Sequence, residues 1–196
     1  MTMPFDDASD VPDEALLVLY ANGDAAAARE LAARHLPRVL GFAARLLGGD
    51  RAEAEDVAQE AMLRLWRIAP EWRTGEAKVS TWLYRVVTNL CTDRLRSKTR
   101  RRAVGLDDAP DVADGAKSAE ATMVETERMT ALTAALGTLP DRQRQAVVLR
   151  HIEGLSNPEI AEVMEIGVEA VESLTARGKR ALAAVMAGRR AELGYE

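Results

Sequence analysis

A chain of 196 residues has room for one large or two small domains, and 47% hydrophobic with 29% charged residues is a soluble globular balance. The formal net charge of −5 argues against indiscriminate binding of nucleic acid. A single cysteine, Cys91, excludes an intramolecular disulfide and, with only His35 and His151 beside it, leaves no ligand set for zinc, so neither a metal nor a cofactor is expected.

Residues 1–12 are acidic and read as a mobile tail rather than a secretory signal. No apolar run approaches the ~20 residues of a membrane span, so a cytoplasmic chain without membrane insertion is expected. From Pro12 to Gly48 an Ala- and Leu-rich stretch predicts two helices broken near Asn22-Gly23. Asp24 caps the second, and Pro37 is expected to kink it or mark a break. His35 stands alone on a helix, where a surface or packing role is expected.

After Gly48-Gly49, Asp50 with Glu53 reads as a capping box. Val57, Ala61, Met62 and Leu65 form the inward stripe of the helix that follows. Asp56, Gln59, Glu60 and Leu63 gather on another face, an acidic surface with an apolar residue suited to a basic partner or simply to water. A loop, PEWRTGEAKVST, leads to the central helix near Ser80. There Leu83, Val86, Val87, Leu90 and Leu95 form an apolar stripe, while Tyr84, Arg85, Thr88, Asn89, Thr92 and Arg96 are expected to look the other way. Arg94, Arg96, Lys98, Arg100, Arg101 and Arg102 make its end strongly cationic, which suits both the helix dipole and phosphate.

Residues 105–121 carry Gly, Pro and acidic residues without a periodic stripe and read as a flexible acidic linker between two domains. The acidic tract could also mimic nucleic acid. Beyond it Met123, Met129 or Leu132, Leu136 and Leu139 recur at helical spacing as core, and a further helix starts at Pro140. Ser156 with Glu159 forms a second capping box and opens a short helix, NPEIAEVM. A tight connection, Glu165-Ile166-Gly167, leads into a longer helix with Arg177, Lys179 and Arg180. Short helix, turn and longer basic helix are the signature of a helix-turn-helix, whose second helix enters the major groove.

In this order the segments DRAEAEDVAQEAMLRLWR, STWLYRVVTNLCTDRLRSKTRRR and LGTLPDRQRQAVVLRHIEGLSNPEIAEVMEIGVEAVESLTARGKRAL resemble a bacterial RNA polymerase sigma factor of the extracytoplasmic-function (ECF) type, within the sigma-70 family. The resemblance implies an all-α fold with region 2 at residues 13–104 and region 4 at 122–190, followed by a tail, 191–196. Its AED-x-x-QE motif falls on Glu55, Asp56, Gln59 and Glu60, which with Leu63 are expected to dock on the clamp helices of core RNA polymerase. The motif WL-x-R-x-x-x-N-x-x-x-D-x-LR falls on Trp82, Leu83, Arg85, Asn89, Asp93, Leu95 and Arg96, implicated in recognising and melting the minus-ten element.

Melting needs cations for phosphate and a surface that holds an unstacked base. Trp82, Tyr84, Arg85, Thr88, Asn89, Arg94, Arg96, Lys98, Arg100 and Arg101 are the candidates, and the loop from Pro70 to Lys78 is placed to form a pocket. Trp82 could equally belong to the core. Region 4 implies contact with the polymerase flap and with the minus-thirty-five element through Ser156, Glu169, Glu172, Ser173, Arg177, Lys179 and Arg180. Arg177, Lys179 and Arg180 suit phosphates, whereas Glu169 and Glu172 can accept from cytosine. This chain departs from the family where a turn glycine is usual, having Glu165, and where Leu174 and Thr175 replace a basic residue and a core leucine. Either Leu174 takes the core position or the helix is rotated.

The resemblance also implies an anti-sigma factor as partner and association with the nucleoid when polymerase is bound. Two other classes compete. A duplex-binding regulator uses only the C-terminal motif and leaves the Asp56 to Glu60 face without a task, and a helical adaptor uses only the acidic surface. Nothing assembles a nucleophile with a base or a phosphate-cradling loop, so no small-molecule substrate is expected and the chain does not read as an enzyme.

Overall fold

The computed structural model describes residues 11–75, 77–103 and 120–188, the side chains of 120–127 and 188 excepted. The expected tail 1–12 and linker 105–121 lie outside the described residues apart from the last two positions of each, and 191–196 lies outside them entirely. Eight α-helices and one 3-10 turn make up the ordered elements among the described residues, with no strand.

The first set comprises α1 (Asp13–Ala21), α2 (Ala25–Leu46), α3 (Arg51–Ile68), the 3-10 turn Ala69–Glu71 and α4 (Val79–Ala103). The chain turns from α1 to α2 at Gly23, whose φ of 94° suits a residue without Cβ. The Asp24 carboxylate then accepts from the amides of Ala26 and Ala27 at 2.7 and 3.3 Å. Pro37 does not break α2, which is helical from Ala25 to Leu46. Leu31 and His35 before it, and Val39 and Phe42 after it, are all buried, so packing on both sides outweighs the missing amide donor. Leu17, Leu31, Phe42, Leu46, Val57, Leu65, Leu83 and Val87 form the core at 1% exposure or less. Burying one such side chain stabilises by about 1.5–3 kcal/mol.

Charged groups fix how these helices meet. His35 is buried, and its Nε2 lies 2.7 Å from a carboxylate oxygen of Asp13, whose other oxygen accepts from Arg34 at 3.0 Å. Its packing role therefore includes tying α1 to α2. Asp50 caps α3 through the Glu53 amide at 3.1 Å, but the reciprocal half of the expected capping box is missing. The Glu53 carboxylate is instead held by Arg94, and Asp50 accepts from Lys98 Nζ at 2.6 Å. The basic end of α4 is thereby tied to the start of α3.

The second set comprises α5 (Glu120–Gly137), α6 (Asp141–His151), α7 (Asn157–Met164) and α8 (Val168–Gly188). Leu136, Leu149, Ile160 and Val171 are fully buried at its centre, while Met129 is exposed and the Met123 side chain lies outside the described residues. The Ser156–Glu159 capping box is complete, with both reciprocal hydrogen bonds formed. Between α7 and α8 Glu165 adopts a left-handed conformation at φ 53°. Such a conformation costs roughly 1–2 kcal/mol for a residue other than glycine. The two sets are in contact: α4 lies along α7, and α2 against α5 and α6.

Candidate nucleic-acid and polymerase interface

Alternation of buried and exposed positions along α3 separates two faces. Ala54, Val57, Ala58, Ala61, Met62 and Leu65 point inward, leaving Glu55, Asp56, Gln59 and Leu63 exposed and Glu60 partly so. Glu55 pairs with Arg51 at 3.0 Å and Glu60 with Arg64 at 2.8 Å, each one turn apart. The Arg64 hydrogen bond holds the Glu60 carboxyl below its usual range. Leu63, 48% exposed, is the apolar residue among these acids.

The helix α4 has three faces rather than the two expected. Leu83, Val87 and Cys91 enter the core of the first set. Tyr84 and Thr88, expected on the outward polar side, are only 4% exposed. Tyr84 packs edge-on against Phe42, with ring centroids 5.1 Å apart, and donates to the Glu153 carboxylate of the second set at 2.6 Å. Burial first, then this hydrogen bond, pushes the Tyr84 phenol well above its ordinary pKa and keeps it a neutral donor. Helical periodicity relates α4 to its own domain alone, and the second set covers a third face.

The remaining face is open. At 3.6 residues per turn Trp82, Arg85, Asn89, Arg96 and Arg100 fall within about 60° of one another. Asn89, Arg96, Arg100 and Arg101 are exposed, and Trp82 and Arg85 half-buried. At the N-terminal end of this stripe Ile68, Glu71, Trp72, Arg73, Ala77, Trp82 and Arg85 line a cleft. Trp72 and Trp82 meet there nearly perpendicular, with centroids 6.0 Å apart. Both pack partly against the core, and the buried Trp72 Nε1 has no hydrogen-bond partner within the protein. Trp82 thus belongs to the core edge and to the cleft at once. Arg94 and Lys98 sit on the far side of α4 in the ion pairs with Glu53 and Asp50.

In the helix-turn-helix, Glu169, Glu172, Ser173, Arg177, Lys179 and Arg180 of α8 are all exposed. Ser156 is engaged in the cap of α7, and Glu172 accepts from Asn157 at 3.4 Å. Leu174 packs against the core, with Thr175 half-buried beside it and its hydroxyl without a partner within the protein. Of the two alternatives Leu174 has the core contact. Two structural residues carry no strong mark in the sequence. A Cβ added to Gly178 meets Val147 Cγ2 at 2.6 Å and the Gln143 carbonyl at 3.1 Å, so glycine is what lets α8 approach α6. An isolated glycine within a helical pattern is the only hint of this. Glu153, in the turn after α6, has no such hint.

Comparison with known proteins agrees with this arrangement. Residues 31–101 match the model of Sigma-70 region 2, and residues 129–182 that of Sigma-70, region 4. The chain is 35% identical over 174 residues to the ECF RNA polymerase sigma factor SigM of Mycobacterium tuberculosis, covering 89% of this chain and 84% of that one. Among solved structures it is similar to CnrH in complex with the cytosolic domain of CnrY, with a TM-score of 0.65, 27% identity, and 90% and 97% of the two chains covered. RpoE of Bartonella quintana, solved with the anti-sigma factor NepR, shares the fold at a TM-score of 0.66 and 19% identity, with 81% and 95% covered. Two helical units in this order, an open cationic stripe on the first and a helix-turn-helix on the second identify the chain as a member of the ECF sigma factors, which direct core RNA polymerase to specific promoters.

Proposed function

We propose that residues 13–104 dock on the polymerase clamp helices and capture the melted minus-ten element, and that residues 122–190 contact the flap and read the minus-thirty-five element. The observation that carries the reading is the continuity of the aromatic cleft at Trp72 and Trp82 with the exposed stripe Arg85, Asn89, Arg96 and Arg100. An unstacked base gains stacking on an aromatic side chain and bonds through its freed edge, while the cations follow the strand. Unstacking costs a few kcal/mol per step, offset by base capture and by polymerase contacts.

On this reading Glu55, Asp56, Gln59, Glu60 and Leu63 meet polymerase. Trp82, Arg85, Asn89, Arg96, Arg100 and Arg101 meet promoter DNA in the conformation described, whereas Tyr84, Thr88, Arg94 and Lys98 do so after exchanging their present partners. Glu169, Glu172 and Ser173 read bases, Arg177, Lys179 and Arg180 hold phosphates, and Ser156 contacts the same element. The chain acts in the cytoplasm and at the nucleoid, catalyses no reaction, and responds to an environmental stress through an anti-sigma factor.

Transcription in vitro with purified core RNA polymerase on fragmented genomic DNA tests this. Discrete new RNA starts sharing two upstream elements are expected. Absence of new starts from a folded chain that fails to co-purify with polymerase overturns it.

A further inference from the structure

The N-terminal part of a recognition helix is the part that reaches base edges. On α8 the exposed residues there are Val168, Glu169, Ala170, Glu172, Ser173 and Ala176. None of them carries an amide or a cation, the groups that pair bidentately with adenine or guanine. The first cation, Arg177, turns its Nε back onto the Ser173 carbonyl at 3.2 Å.

One of the two carboxylates is tethered. Asn157, the first residue of α7, donates from Nδ2 to Glu172 Oε1 at 3.4 Å. An exposed glutamate otherwise occupies many rotamers, so a tether in the free protein reduces what remains to be ordered on binding. Val168 stands one turn before Glu172 on the same side of α8 and is 40% exposed. An apolar side chain therefore sits beside the carboxylate on the surface that faces the groove.

Among the four bases only cytosine presents a major-groove donor with no acceptor next to it. Its N4 amine is flanked by an apolar C5–H, whereas adenine sets N7 beside its amine, guanine shows N7 and O6, and thymine shows O4. A carboxylate accepts from the cytosine amine and is repelled by the lone pairs of the others. An isopropyl group beside it covers the C5–H but leaves adenine N7 unpaired. The pair Glu172 and Val168 thus selects by rejection as well as by attraction.

We propose that Glu172 and Val168 read a cytosine in the minus-thirty-five element, and that Asn157 is a positioning residue that orients the Glu172 carboxylate for that base. The proposal deepens the sigma-factor reading and rests on α8 being the helix that enters the groove.

Holoenzyme formed from the full chain and purified core RNA polymerase is used to select from a duplex library of random sequence, and the bound DNA is sequenced. With the parent chain, one position of the upstream element is expected to favour cytosine over each other base by about tenfold. Glu172→Gln, whose amide pairs with adenine N6 and N7, should turn that same position from cytosine to adenine. Asn157→Ala and Asn157→Asp, which both lack the donor, should lower the cytosine preference there about threefold and leave preferences elsewhere in the element as they were. A purely structural role, or a contact of Asn157 with phosphate, lowers affinity for every sequence alike and overturns the positioning role. A folded Glu172→Gln chain that keeps the parent preference at every position overturns the base assignment. Melting by circular dichroism establishes that each variant is folded, and Glu172→Gln decides if an Asn157 variant is not. Both of those failures leave the promoter reading standing, whereas a parent chain that enriches no upstream element at all overturns the two together.

Discussion

The helices α4 and α8 were both expected to present polar residues to DNA, yet the fold treats them differently. On α8 every polar residue expected to meet the promoter is exposed. On α4 the polar residues are divided: Asn89, Arg96 and Arg100 face solvent, Arg94 and Lys98 are paired with α3, and Tyr84 and Thr88 are buried beneath the second set. The three helices that pack on α8, α5 to α7, leave its polar face open, whereas α4 keeps only what α2, α3 and α7 leave uncovered. The availability of the first site is therefore a property of the assembled chain, and that of the second a local one.

The sharpest way to break the contrast is to remove the floor under Tyr84. Phe42 is fully buried and meets Tyr84 edge-on, so Phe42→Ala is expected to cost about 3–5 kcal/mol. Chemical denaturation should show the first set unfolding earlier while the second keeps its own transition; equal losses in both would mean that the sets fold as one unit. The corresponding change on the other side is Gly178→Ala. Its Cβ overlaps Val147 and crowds the Gln143 carbonyl, and overpacking of this kind costs about 1–3 kcal/mol. Here the second set alone should melt lower, and an unchanged melt would show that α8 can shift away from α6 freely.

A third experiment separates the cations of α4. Replacing Arg96, Arg100 and Arg101 by Ala should lower the slope of log affinity against log salt for promoter binding by the holoenzyme by about 2–3, near one per phosphate contact. Lys98→Ala should lower it less, because Lys98 is engaged by Asp50 at 2.6 Å. Equal effects per residue would erase the distinction between the open stripe and the paired side.

The smallest expected effect is on pH. The Lys78 hydrogen bond, followed by those from Ser156, holds the Glu159 carboxyl at about 2 against an ordinary 4.5. A depressed acid stabilises above its ordinary pKa, and that contribution disappears as the pH falls from about 4.5 towards about 2. The difference in melting temperature between the parent chain and Glu159→Gln should therefore be full at neutral pH and shrink across that interval. A constant difference would detach the effect from ionisation. Because Lys78 is well exposed, its share is screened by solvent and salt.

Much of this protein was legible in its residues. Helix limits, the Asp24 and Ser156 caps, the turn at Gly23 and the helix-turn-helix all follow from rules that act within one turn of chain. The motif order likewise pointed to two units and their partners. The break allowed at Pro37 is absent because helix propensity counts the lost hydrogen bond but not Leu31, His35, Val39 and Phe42 packing around it. Glu53 left its expected cap for the same kind of reason, since Arg94, distant in sequence, offered a charge.

What the sequence by itself determined is the helices, their caps and the angular order of side chains around each axis. Only the tertiary structure decided which of those side chains remain available. Periodicity relates the residues of a helix to one another but carries no information about which distant segment packs against it. Glu153 finding Tyr84 in the other set is a contact of that second kind.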